Sequence, residues 1–224
     1  MHEQQKPVWL AFLVVAVLTA FLTQLASKMS AQTPTNFTTA FSIGKANNVG
    51  YINPLVGGFL QGDYRINDRF LVGGQFKLGW ERKYVGDGHA TAENAYLRSY
   101  FHRNLFAEVG ENSGKYFTSQ FNKAFFSPNL AVGIDIRSAR LPGHRPLPML
   151  IKVSYLLPDT ISPNRTSAFI YEHDAVIGTR RDRMNLFLGL ELQLVRYNQS
   201  GRRDTGTSAA LKVGLRCQKP HISE

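Results

Sequence analysis

The stretch FLVGGQFKLGW, from Phe70 to Trp80, alternates two kinds of side chain without a break. Large apolar side chains take one set of alternate positions, which are Phe70, Val72, Phe76, Leu78 and Trp80. The positions between them hold Leu71, Gly73, Gln75, Lys77 and Gly79. Because successive side chains of a β-strand point to opposite faces, the stretch predicts a strand with one apolar face and one mixed, glycine-rich polar face.

The same period of two returns along most of the chain and predicts an all-β protein of about ten strands, with eight as the alternative count. Its clearest instance is the row of alternate leucines from Leu186 to Leu194. Its weakest is the segment Ser167 to Thr179, where Glu172, His173 and Asp174 interrupt the pattern. The predicted strands are Phe37 to Ala46, Pro54 to Ile66, Phe70 to Arg82, Asn94 to Phe101, Leu105 to Gly110, Asn129 to Arg137, Met149 to Leu157, Ser167 to Thr179, Leu186 to Val195 and Ser208 to Arg216.

Turn-forming and polar stretches separate these strands. Asn67-Asp68 and Arg103-Asn104 predict tight turns, since Asn and Asp favour turn conformations. An even number of strands brings both chain ends to one end of a barrel, where these turns also lie, and places longer loops at the other, outer end. The predicted outer loops lie near Asn48, Gly86, Ser113, Pro163 and Gly201, and three of them span Tyr84 to Ala92, Glu111 to Ser127 and Asn198 to Thr207. The remaining predicted connections are the proline-containing segment Pro142 to Pro148 and a basic turn, Arg180 to Arg183.

Residues 1–31 predict an export signal peptide. Lys6 precedes an uncharged, mostly apolar run from Val8 to Leu22, which is short for a helix that spans a bilayer. Ala31 is the expected last residue of the signal, and residues 32–224 then form one barrel domain. The alternative is an uncleaved membrane anchor.

Charge and cysteine content exclude some classes of function. Cys217 is the single cysteine, so neither an intrachain disulfide nor a thiol zinc cluster can form. The formal net charge is +10, but the basic residues are scattered and no aromatic–basic RNA motif occurs. Nucleic acid is therefore not predicted as a partner, whereas an anionic membrane surface suits this charge.

The apolar faces could line a soluble barrel or face lipid, and lipid is favoured. Several strands are long enough for a tilted bilayer crossing, and the polar faces mix glycine with charges of both signs. Aromatic residues expected near the membrane boundaries are Tyr64, Phe70, Trp80, Tyr84, Tyr155 and Tyr197. The polar faces then predict a narrow, ion-paired interior without a wide pore. Its expected charges are Asp63, Arg65, Lys77, Glu81, Arg98, Glu108, Asp135, Arg137, Lys152, Glu191, Lys212 and Arg216.

The segment LRSYFHRNLFAEVG, from Leu97 to Gly110, resembles the hairpins of small bacterial outer-membrane barrels. The resemblance implies a closed antiparallel up-and-down transmembrane β-barrel in the cell outer membrane. It also implies outer-membrane lipid, lipopolysaccharide and the barrel-assembly machinery as partners, and the Arg202-Arg203 pair could contact lipopolysaccharide phosphates. The chain departs from the family at its end, where QKPHISE follows the last strand without the usual terminal aromatic residue.

No catalytic, cofactor or metal site is predicted. The chain has no nucleophile elbow, phosphate loop or zinc-protease motif, and its six histidines are widely separated. Two places carry a weak enzyme interpretation, His102 with Ser99 nearby, and His173 between two acidic residues. The leading hypothesis is thus a non-enzymatic outer-membrane barrel with a structural or surface-interaction role. One alternative is an outer-membrane lipid A deacylase or phospholipase, since enzymes of these kinds resemble the chain in their predicted architecture. The other is a soluble secreted lipocalin-like carrier.

Overall fold

Ten antiparallel strands close into one barrel in the computed structural model of the chain. The structure describes residues 36–48, 51–83, 86–118, 122–136, 147–161, 166–178, 184–199 and 202–218. The strands are β1 (Asn36–Asn48), β2 (Tyr51–Arg65), β3 (Phe70–Lys83), β4 (Gly86–Tyr100), β5 (Leu105–Thr118), β6 (Asn122–Ile136), β7 (Met149–Leu156), β8 (Ser167–Ile177), β9 (Met184–Gln199) and β10 (Arg202–Gln218).

Each strand pairs with its neighbours in the chain, and β10 closes the barrel by pairing with β1. Following the register once around the barrel from Asn36 leads back to β1 at Asn48, twelve residues further along. Such a stagger requires the strands to tilt, typically by about 35–45° from the barrel axis. Within the described ranges, no helix is long and apolar enough to cross a membrane.

The predicted ten strands and their up-and-down order are confirmed, including β8 with its acidic residues. Three predicted loops are wrong, because strands fill most of Tyr84 to Ala92, Glu111 to Ser127 and Asn198 to Thr207. Backbone hydrogen bonds hold paired strands together whatever their side chains, so polar sequence does not end a strand there. Residues 1–35, 137–146 and 179–183 lie outside the described residues, so the signal peptide and the basic turn stay predictions.

Large apolar side chains cover the outer surface of the barrel. Leu78 is 53% exposed, Val132 60% and Leu211 58%, although all three lie within paired strands. The alternate positions point inward, as with Leu71 at 4% and Phe187 at 0%. The predicted faces of β3 and β9 are thereby confirmed, and the apolar face is the outer one.

Aromatic residues predicted for the strand ends lie on this outer face where the structure describes their side chains. Phe70 is exposed, and Tyr64, Trp80 and Tyr155 are half-buried. The ring of Tyr155 stacks on that of Phe169 with centroids 4.6 Å apart. Tyr84 and the side chain of Tyr197 fall outside the described residues.

Two small clusters of apolar side chains fill the interior near the end where β1 begins and β10 ends. One cluster joins Phe59, Phe187 and Val176 to Ala40, and the second is built from Leu71, Tyr96, Tyr100 and Phe106. Glycines make room for their rings. A Cβ at Gly73 would overlap the ring of Tyr96, and one at Gly133 would overlap that of Phe106. The barrel is therefore packed, not hollow, at this end.

Candidate functional site

A cluster of buried charges occupies the middle of the barrel and is called here the interior ionic cluster. Its members come from seven strands, so the register of the whole barrel is needed to assemble it. Each sits at an inward position of its strand, and the outward residues beside it are apolar except for Ser99 and His173. The members are Lys77 of β3, Arg98 of β4, Glu108 of β5, Lys152 of β7, Glu172 of β8, Glu191 of β9 and Lys212 of β10.

One branch of the interior ionic cluster is held by Glu108. The guanidinium of Arg98 donates to Glu108 Oε2 through Nε at 3.0 Å and Nη2 at 2.8 Å. Lys152 Nζ lies 3.4 Å from the other carboxylate oxygen of Glu108. All three side chains are almost fully removed from solvent, so their charges are compensated by one another and not by bulk water.

Glu172 joins this branch to a second one. Its carboxylate lies 2.6 Å from Lys152 Nζ, 3.1 Å from Lys212 Nζ and 4.0 Å from Lys77 Nζ. Glu191 repeats the arrangement, at 2.6 Å from Lys212 Nζ and 2.8 Å from Lys77 Nζ. Acidic and basic groups thus alternate across the lumen, as burial of several charges in a narrow interior requires.

Aromatic rings support the cations from the packed end of the barrel. The Arg98 guanidinium lies 4.2 Å from the centroid of the Phe106 ring, and Lys212 Nζ lies 5.2 Å from that of Phe59. Such contacts stabilise a cation through the quadrupole of the ring. The interior ionic cluster and the apolar clusters therefore form one continuous plug.

Hydrogen bonds pin two further inward acids beside the plug. The Tyr96 hydroxyl and the Gln61 amide both donate to Asp63. The Tyr100 hydroxyl donates to Asp135 at 2.9 Å. These carboxylates accept hydrogen bonds from neutral donors in addition to facing nearby charges. Hydrogen bonds therefore order the polar interior as far as the end of the barrel where β1 begins.

A small cavity of about 20 Å³ lies beside the interior ionic cluster. Asn94 and Asn129 line it, and the Oδ1 atom of each has no hydrogen-bond partner among the described residues. A space of this size holds about one water molecule. It is polar and far too small to be a conduit for solutes.

Most of the predicted interior charges are confirmed in place, and two inward acids were missed. Glu172 and Asp174 are 5% and 6% exposed on the inward face of β8, where their acidity had counted against a strand. The alternation of the segment was intact: acids on one face and Phe169 and Tyr171 on the other. Of the other predicted interior charges, Glu81 and Arg137 have side chains outside the described residues.

The two places of the enzyme interpretation lie apart on the barrel surface. His102 is exposed in the turn between β4 and β5, and Ser99 lies on the outward face of β4. His173 is on the outward face of β8, between Ile151 and Leu190. Since β4 and β8 are not neighbouring strands, the two histidines lie on different sides of the barrel wall.

No protein-family model matches the chain, and no curated protein matches it in sequence. Several solved structures are similar to the chain. Neisserial surface protein A is 12% identical, with 82% of this chain and 96% of that chain covered and a TM-score of 0.40. The outer-membrane protease OmpT from Escherichia coli is 9% identical, with coverage of 82% and 96% and a TM-score of 0.46. The β domain of the Bordetella autotransporter BrkA is 10% identical, with coverage of 84% and 100% and a TM-score of 0.46.

The names of these three proteins describe three different roles. They are a surface protein, a protease and an autotransporter domain.

Proposed function

We propose that the chain is a non-enzymatic outer-membrane β-barrel whose ion-paired interior is closed to solutes and whose role is structural or at the cell surface. The observation that carries the proposal is the inversion of the two faces. Leu78, Val132 and Leu211 are outward within the paired strands, while Glu108, Glu172 and Lys212 are buried in the lumen. A barrel in lipid needs an apolar exterior and a closed sheet, because hydrocarbon cannot satisfy open edges or charges.

The same arrangement speaks against the soluble carrier. A lipocalin-like barrel would hold its apolar ligand against inward-facing leucines. The leucines of β9 instead face outward, and the inward positions of that strand include Glu191 and Gln193. Among the described residues, the interior ionic cluster and the two apolar clusters occupy the lumen where such a ligand would bind.

Planar bilayer recordings test whether the interior is closed. The purified wild-type chain is expected to insert without conductance steps, because the interior ionic cluster spans the lumen. The double variant Lys152→Ser, Glu172→Ser removes one charge of each sign and is expected to conduct. Stable, reproducible conductance steps from the wild-type protein would contradict the proposal of a closed interior.

Lipopolysaccharide and the barrel-assembly machinery are the proposed partners. Arg203 is exposed on the outward face near the start of β10, at the end of the barrel opposite the chain termini. A guanidinium there can pair with a phosphate in a bidentate way. Replacing Arg202 and Arg203 by serine is expected to reduce lipopolysaccharide co-purification, and an unaltered yield of bound lipopolysaccharide would refute this contact.

A further inference from the structure

The shortest strands of the barrel lie side by side. β7 has 8 residues and β8 has 11, against 17 in β10. Pro148 precedes β7 and Pro158 closely follows it, so that neither end of the strand has the N–H group needed to extend the pairing. At a rise of about 3.3 Å per residue and a tilt of about 40°, β7 spans about 20 Å of depth, less than the apolar band of about 25 Å that membrane barrels present. The paired wall is therefore low on this side, and lipid would have to thin to match it.

A histidine lies at the centre of the outer face of this low wall. His173 points outward from β8, since Glu172 and Asp174 on either side of it are buried in the lumen. Phe169 and Ile177, on the same outer face, lie four positions away toward the two ends of the strand, so each is about 10 Å away in depth. The nearest outward residues of β7 and β9 are all apolar, and they are Ile151 and Leu190 directly opposite, with Met149, Val153, Leu188 and Leu192 on the diagonals.

An imidazole needs hydrogen-bond partners at that depth. Its neutral form carries one donor and one acceptor nitrogen, and a polar group without a partner is costly in hydrocarbon. Among the described residues, none forms a hydrogen bond or an ion pair with the His173 side chain, and its neighbours across β7 and β9 are apolar. A partner for His173 in the membrane therefore has to come from another molecule at the same depth.

We propose that the outer face of β7 and β8 binds a second copy of this chain in the membrane, with the two His173 side chains hydrogen-bonded to each other. Two barrels inserted in the same direction are related by a two-fold axis along the membrane normal, which keeps every residue at its own depth. The donor nitrogen of one imidazole then meets the acceptor nitrogen of the other.

A second copy also matches the low wall in height. Where the two walls face each other, neither has to be matched by lipid, so the mismatch favours association at this face. Detergent adapts to any wall height, and the chain is expected to be monomeric in it. The inference rests on the proposed membrane location and adds a homodimer interface to it.

Energy transfer between labelled chains in vesicles tests the interface. Cys217 is the single cysteine and is exposed, so each chain takes one dye. Donor-labelled and acceptor-labelled proteins are refolded together into phosphatidylcholine vesicles, and transfer is followed as added lipid dilutes them. The wild-type protein is expected to keep transfer at dilutions where randomly placed barrels show none. His173→Leu removes both polar nitrogens and is expected to weaken the dimer about fivefold, the scale of one hydrogen bond between neutral groups.

Three further variants separate the hydrogen bond from the packing of the two walls. His173→Gln keeps a donor and an acceptor and is expected to retain most of the dimer. Ala175→Trp places a large ring beside His173 on the outer face of β8 and is expected to abolish transfer, because it holds the walls apart. Ala95→Trp makes the same change on the outer face of β4, four strands away around the barrel, and should behave as wild type.

The outcomes separate this inference from the proposed function. If the wild-type protein does not insert into vesicles, the membrane location itself fails. If it inserts but its transfer falls on dilution as random mixing predicts, the barrel is a monomer in lipid, so the homodimer is overturned and the membrane location stands. The homodimer through this face is also overturned if His173→Leu or Ala175→Trp associates as tightly as the wild-type protein.

Discussion

Glu172→Gln is expected to lower the free energy of unfolding by about 3–5 kcal/mol, the usual cost of removing one partner from a buried ion pair. Glutamine keeps the volume of the side chain but leaves the ammonium groups of Lys152 and Lys212 without their shared carboxylate. Its amide can also turn a donor toward those cations. The loss is large because, among the described residues, Glu108 is the only other acid paired with Lys152, and the adjoining cavity has room for about one water molecule.

Urea titration of the protein in lipid vesicles, followed by tryptophan fluorescence, measures this loss. Asp68→Asn is the matched control, since it neutralises an exposed carboxylate and should stay within about 0.5 kcal/mol of wild type. The double variant Lys152→Met, Glu172→Gln removes one charge of each sign and is expected to recover part of the loss, because Glu108 keeps its pair with Arg98. A Glu172→Gln protein as stable as the control would show that the interior ionic cluster does not hold the barrel together.

Leu211→Arg is expected to cost about 2–4 kcal/mol if the outer face meets hydrocarbon. Leu211 is 58% exposed and lies between Ile43 of β1 and Leu190 of β9, in the middle of the apolar surface. In a water-soluble barrel, the same change at an exposed site would alter stability by no more than about 0.5 kcal/mol. The size of the effect therefore reports what surrounds the barrel.

Thr205→Arg provides the control on the same strand and the same face. Thr205 is exposed six positions nearer the outer end of β10, beside Arg196 of β9. Arginine near the membrane boundary is expected to cost only about 0–1 kcal/mol. Equal effects of the two substitutions in the same urea titration would contradict a depth-dependent lipid environment.

The sequence predicted the strand faces well because alternation is a local property. The segments from Phe70 to Trp80 and from Leu186 to Leu194 carry their pattern within one strand, and no tertiary contact is needed to recognise it. The lengths of β4, β5 and β6 were underestimated for the converse reason. Their polar outer portions continue through backbone pairing with a neighbour, which a single strand does not reveal.

The interior ionic cluster could be predicted only in part. Charges such as Lys77 and Glu191 stood out because their strands alternate cleanly. Glu172 did not, since two acids around a histidine look like a break in a strand when the inward face is assumed to be apolar. The central position of Glu172 among three lysines depends on the register of β3, β7, β8 and β10, and pairing across the barrel is not encoded in any one segment.

Detergent dependence of the mature chain tests most directly the claim that the apolar face is outermost and meets lipid. Refolded residues 32–224 should require detergent to stay monomeric, and on a semi-native gel the unheated protein should run as a compact band that shifts on boiling. Such behaviour is expected of a closed sheet with Leu78, Val132 and Leu211 on its outside. A chain that remains folded and monomeric in buffer without detergent, with no heat-dependent shift, would contradict the account.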